Sequence, residues 1–163
     1  MRKGLSLFAM TVGLAVPAFS DDLASGIALC QQGQYARAEG VLRKATGTDA
    51  SAYLALSLAK QKKYAEAEAP ANAALAAKKT HEVAAAALGE SLVGQKKYDD
   101  AINRLSSVLQ AKSDAAYAYF WRAQAYQNKK QVARMVEDYQ SFLKLAPQAP
   151  EAPSVKVLLA GLQ

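Results

Sequence analysis

Cysteine and histidine are almost missing from this chain, occurring once each as Cys30 and His81. A single cysteine forbids an intrachain disulfide and offers no cysteine-based zinc spacing. A single histidine removes His-based metal clusters. It also leaves His81, in "KKTHE", as the only imidazole around which a Ser-His-Asp set could form, and nothing in the sequence marks one. His81 is expected instead as a polar residue at a helix start. No phosphate-cradling Gly-rich loop is present. Acidic pairs do occur, at Asp21-Asp22, Glu66/Glu68 and Asp99-Asp100. Each stands where a helix is expected to begin, and there the macrodipole favours negative charge. That reading outweighs paired acid/base catalysis. The expectation is a non-enzyme with no cofactor and no metal.

A long apolar run is also absent. Leu5 to Phe19 is uncharged for 15 residues, short of the roughly 20 that a spanning helix needs. Arg2 and Lys3 precede it, and Ala18-Phe19-Ser20 follows with small residues at the positions a signal peptidase reads. Residues 1–20 are therefore expected to be a cleaved secretory signal, the alternatives being an uncleaved anchor or a buried first helix. The mature protein is expected to be exported to the periplasm, without stable membrane insertion. Losing Arg2 and Lys3 lowers the net charge from +6 to +4. So mild a charge on an exported protein argues against nucleic acid. Cys30 follows "GIAL" rather than the small residue that lipid-anchor sites want. It reads as a buried small apolar residue, or, less simply, as an intermolecular disulfide.

What the chain does have is apolar material and repetition. Hydrophobic residues make up 52% and charged residues 21%, enough for a real core. "QKKYAEAEAPANAAL" begins at Gln61, and "QKKYDDAINRLSSVL" begins 34 residues later at Gln95. Tyr35 marks an earlier unit and Val132 a later one. Three places after these markers come Ala38, Ala67, Ala101 and Met135. Seven places after come Leu42, Ala71, Leu105 and Tyr139, and ten places after, Ala45, Ala74, Val108 and Phe142. That spacing is helical and puts them on one face. A second apolar stripe precedes each marker: Gly26 and Leu29; Leu54, Ala55 and Leu58; Leu88, Gly89 and Leu92; Tyr119, Ala123 and Tyr126. The polar turns "QQGQ", "KQKK", "GQKK" and "QNKK" separate the stripes. Each unit is a helix–turn–helix that cannot bury its own apolar faces, so neighbours must stack.

On these residues, above all "AYAYFWRAQAYQNKKQVARMVEDYQSFLKLAP" with its closing Pro147, the chain resembles a tetratricopeptide repeat (TPR) protein. The resemblance implies an all-α fold, a right-handed superhelical stack of about four TPR units. Their expected bounds are 21–47, 48–81, 82–115 and 116–147, with a linker and capping helix over 148–163. Val155, Leu158, Leu159 and Leu162 share one face of that last helix; a docking helix is the alternative. The sequence departs from the family in three places. Tyr35 to Tyr64 is only 29 residues, so the first unit is short; Gly47 is expected to stop its second helix and Thr48 or Asp49 to cap the next. The turn glycine survives only as Gly33, with Lys62, Lys96 and Lys130 in its later places. Pro70 falls inside a helix and is expected to kink it.

In the family the first helix of each unit lines a concave groove. Carried over, those positions are Leu23, Ile27 and Cys30; Ala52, Leu56 and Ala59; Ala86, Glu90 and Val93; and Phe120, Gln124 and Gln127. Chaperone-binding members grip a terminal carboxylate there with Lys and Asn. Neither occurs at these places, which favours an apolar or amphipathic segment of another protein. A second surface is the turn edge, where Lys62, Lys63, Lys96, Lys97, Lys129 and Lys130 are expected to stack as a basic ladder, either for an acidic partner or merely solvated. The functional expectation is a non-catalytic scaffold or adaptor of the cell envelope that binds a protein segment in its groove. The alternative is a structural or assembly subunit docking through the lysine edge and the C-terminal helix.

Overall fold

The computed structural model describes residues 19–162. The expected signal segment lies outside the described residues except for its last two, which open the first helix. Nine α-helices and no strand occur among the described residues: α1 Phe19–Gln31, α2 Tyr35–Leu42, α3 Thr48–Lys60, α4 Tyr64–Ala77, α5 Glu82–Gly94, α6 Tyr98–Ala111, α7 Ala116–Asn128, α8 Val132–Leu145 and α9 Ala152–Ala160. None is long and apolar enough to cross a membrane.

The recurring turn explains the repeated "QKKY". Gln61 and Gln95 are C-caps. Lys62 and Lys96 follow in the left-handed region, each with φ 62°, as do Lys130 at 58° and Gly33 at 72°. The Lys62 N–H donates to Ala59 O at 2.8 Å and the Lys63 N–H to Leu58 O at 2.9 Å. This pair of bonds is the Schellman closure of a helix C-terminus. It recurs at Gly33/Gln34, Lys96/Lys97 and Lys130/Gln131. Glycine makes this bend without strain; a lysine there costs about 1–2 kcal/mol.

The second lysine ties one unit to the one before. Lys63 Nζ lies 2.8 Å from Glu39 Oε2, which also accepts from Gln61 Nε2 at 2.9 Å. Glu68 accepts from Gln95 and Lys97 in the same way, both at 2.6 Å. In the next turn Gln131 takes the second lysine's place, and it is Lys129, at the C-cap place of Gln61 and Gln95, that pairs with Asp99. The Lys63 hydrogen bond, helped by Arg43 and Gln61 against the cost of burial, holds the Glu39 carboxyl down at about 2.

Packing follows the repeat. α1, α3 and α5 each touch the next odd-numbered helix, every odd-numbered helix from α1 to α7 packs on its own hairpin partner, and each even-numbered helix packs on the helix that follows it. Close approach needs small residues where helices cross. A Cβ on Gly89 would stand 2.6 Å from Trp121 Cβ, and one on Gly26 would stand 2.5 Å from Leu42. Ala55 and Ala123 take the same place in the other units, each fully buried.

Two local expectations are revised. The second helix of the first unit stops at Leu42 rather than at Gly47, and Gly47, at φ 103°, is itself the N-cap of α3. Thr48 is therefore already inside α3, and Asp49 turns outward to the His81 ring. α4 runs from Tyr64 to Ala77 with Pro70 inside it, where the sequence places it. In α9, Val155 is buried and Leu158 and Leu159 pack on the Phe120, Tyr139 and Phe142 cluster, whereas Leu162 is 50% exposed. Ala152 is the other buried residue of α9.

Candidate functional site

Three cavities adjoin along the face lined by the odd-numbered helices. A central one of about 480 Å³ is floored by Leu56, Val83 and Ala86, walled by Tyr117 and Trp121, and rimmed by Lys60, Glu82, Glu90 and Glu151, with Tyr35 at one end. It shares Glu82 and Val83 with a cavity of about 330 Å³ that continues toward Ile27, Asp49 and Tyr53. At its other end it shares Glu151 with one of about 390 Å³, lined by Phe120, Gln124 and Gln127 of α7 and by Ser154, Val155 and Leu158 of α9. Together they form one groove from α1 to α9.

The sequence-expected groove residues divide. Ile27, Leu56, Ala86, Glu90, Phe120, Gln124 and Gln127 line the groove. Ala52 and Ala59 do not, being fully buried, and Cys30 is only 6% exposed. Ala52 lies against Ala74 and Ala84, and Ala59 in the central core with Ala87 and Leu92. A methyl side chain lets the neighbouring helix close over it, so the repeat position survives while the surface does not. Cys30 Sγ sits 3.1 Å from Ser57 Oγ, and burial pushes its thiol up. Leu23 and Val93 are partly buried against the flanking clusters.

One groove row was missed. Asp49, Val83, Tyr117 and Glu151 stand 34 residues apart, and all four line the groove. The same period carries Phe120 to Ser154 and Gln124 to Leu158. The sequence period thus carries on into the α9 segment, although the α9 backbone neighbours α8 and does not come up to α7 as α3, α5 and α7 come up to one another. The signal was legible by carrying the period one step past Pro147.

Most charges of the groove are already engaged. Lys60 Nζ is 2.8 Å from Glu90, and Lys112 pairs with Glu82. The Ala84 N–H donates to His81 Nδ1, which leaves Nε2 to donate to Asp49 at 2.8 Å. Glu151 accepts from the Tyr117 hydroxyl at 2.8 Å, and burial together with that carboxylate pushes the Tyr117 phenol up to about 12.

At the turn edge, Lys63, Lys97 and Lys129 are held in the ion pairs described above, so the ladder carries less unspent charge than six lysines suggest. Lys62, Lys96 and Lys130 stand exposed at the left-handed positions. Sequence reasoning also missed a buried pair behind the groove: Arg122 grips Asp138 through two bonds of 2.7 Å and reaches Ser106 at 2.9 Å, its guanidinium over the Tyr119 and Tyr126 rings.

Comparison with known proteins bears on this arrangement. A family model described as tetratricopeptide repeat matches residues 23–82 and 86–150. Solved structures similar to this one include MamA from Desulfovibrio magneticus RS-1, at 19% identity over 88% of this chain and 86% of that one, with a TM-score of 0.64. YrrB, described as "a TPR protein with an unusual peptide-binding site", is 17% identical over 85% of this chain and 74% of its own, with a TM-score of 0.67. PilF of Pseudomonas aeruginosa is 23% identical over 83% of this chain and 64% of its own, at 0.69. Likeness at such identity speaks for the fold alone. No curated protein matches the chain.

Proposed function

Because this chain belongs to the tetratricopeptide repeat family, we propose that it is a non-catalytic interaction scaffold of the cell envelope that holds a segment of a partner protein in the groove along α3, α5, α7 and α9. The observation that carries this reading is the continuity of the three cavities. An extended or helical segment can lie along them, its apolar side chains against Leu56, Val83, Phe120 and Trp121. The peptide-binding site named for YrrB supports a groove ligand here by analogy of fold. The lysine edge is the weaker surface, since Lys63, Lys97 and Lys129 already have partners. Export rests on the leader-like residues 1–20, and mass spectrometry of protein from the native envelope should find Asp21 as the N-terminus.

The test is site-specific photo-crosslinking. A photoreactive residue at Ala86 should trap a partner that one at Lys96 does not. Leu56→Glu should abolish the adduct while the circular dichroism spectrum and melting temperature stay unchanged. Equal trapping from both positions would overturn the groove in favour of the edge.

A further inference from the structure

The groove has an uneven charge economy, although the chain as a whole is basic, at +6. Around the central cavity stand three carboxylates, Glu82, Glu90 and Glu151, against one ammonium, Lys60. Glu90 takes Lys60, and Glu82 takes Lys112 from the adjoining cavity. Among the described residues no Lys or Arg pairs with Glu151. Its one side-chain hydrogen bond there is neutral, from the Tyr117 hydroxyl. That phenol is anchored in turn, edge-on to Phe120 at 6.1 Å and to Phe142 at 5.7 Å between ring centroids. Glu151 is thus a carboxylate held by a rigid aromatic cluster at the junction of two cavities, with acceptor capacity left over. Trp121 lines one of the two cavities, an aromatic side chain that suits the alkyl stem of a lysine or the plane of a guanidinium, and the nearly buried Phe120 lines the other.

Resting on the groove reading above, we infer that Glu151 is the specificity-determining residue of the groove and that it selects a partner segment carrying a Lys or Arg between apolar residues. The residue is the N-cap of α9 and lies outside the four complete hairpins, so the C-terminal segment contributes to recognition as well as covering the stack. The basic side chain lies across Trp121 with its stem and donates to the Glu151 oxygen that Tyr117 leaves free. A charge-assisted bond of this kind, shielded by aromatic walls, is worth about tenfold in affinity.

The experiment uses the chain from Asp21 to Gln163 and a phage-displayed random peptide library as probe. Peptides recovered on the unaltered protein should be apolar and enriched in Lys and Arg. Recovery on Glu151→Lys should shift the enrichment to Asp and Glu. Glu151→Gln keeps an acceptor for Tyr117, and hence the position of α9; it should leave melting unchanged and weaken the recovered peptides about tenfold. Identical peptide charge on the unaltered protein and Glu151→Lys, or unchanged affinity for Glu151→Gln, overturns the inference. Leu56→Glu separates the two levels. If it abolishes binding while the Glu151 variants do nothing, the groove stands and Glu151 does not select. If the peptides bind Leu56→Glu normally, or if no peptide is recovered at all, the groove reading itself fails and takes this inference with it.

Discussion

The second and fourth hairpins of this protein, α3–α4 and α7–α8, occupy equivalent places in the stack and are packed by opposite means. The interior of α3–α4 is alanine: Ala50, Ala52, Ala55, Ala59, Ala67, Ala71 and Ala74 are all buried, with Leu58 the one large side chain fully enclosed. The interior of α7–α8 is Phe120, Tyr126, Met135, Tyr139 and Phe142, with the Arg122–Asp138 pair beneath. Alanine contributes little area of its own but lets backbones approach; aromatic side chains bring large area and demand space. The alanine core is accordingly shared, reaching through α5 and α6 to Ala125 of α7. The aromatic core is nearly self-contained and is closed by Val155 of α9. One repeat geometry is thus reached either by proximity between units or by filling within a unit.

The contrast is sharpest under truncation. Phe142→Ala should cost about 3–5 kcal/mol, because the ring is fully buried and its neighbours cannot collapse into the space. Asp138→Ala should cost a similar ~3–5 kcal/mol by leaving the Arg122 guanidinium buried and uncompensated. Urea titrations read both values, and hydrogen exchange should place the loss in α7–α9. Costs below about 1 kcal/mol would mean the aromatic region is no more self-sufficient than the alanine one. Enlargement is the complementary test. Ala71→Leu should cost about 1–3 kcal/mol by pushing α4 off α5, and the damage should spread into the neighbouring units rather than stay local.

Turns are common to both regions and should respond alike. Lys62→Gly and Lys130→Gly relieve the left-handed strain of about 1–2 kcal/mol but add about 0.4–1 kcal/mol of unfolded-state entropy. Each should raise stability, by up to about 1.6 kcal/mol, and equal gains in thermal melts would show that the turns ignore the core beneath them. The remaining comparison is with acid. Glu39 is depressed from 4.5 to about 2 in the folded protein. The stability it contributes is complete above 4.5 and is lost as pH falls toward about 2. Melts across that window should flatten in Glu39→Gln. They should be less altered by Asp99→Asn, since Asp99 is 74% exposed and takes Lys129 alone.

The hairpins were legible because their signals are local. The offsets from Tyr64 and Tyr98 describe one helix face each, and "QKKY" is a helix end, a left-handed bend and a helix start in consecutive residues. Stopping the period at Pro147 hid Glu151, Ser154 and Leu158. Reading "TGTD" as a stop and a cap missed that Gly47 does the capping. The Arg122–Asp138 pair had no sequence signal, for its partners face each other across two helices at a spacing no repeat rule specifies.

The sequence by itself determined the helices, their order, their pairing into hairpins and the rule that neighbours stack, since a 34-residue period and its turns are encoded within each unit. Only the tertiary structure decided which repeat positions face solvent. Ala52 and Leu56 belong to one helix face by sequence, yet one is sealed and the other lines the groove. What separates them is how closely the adjacent helix approaches, and that distance is set jointly by side-chain sizes contributed from three different units.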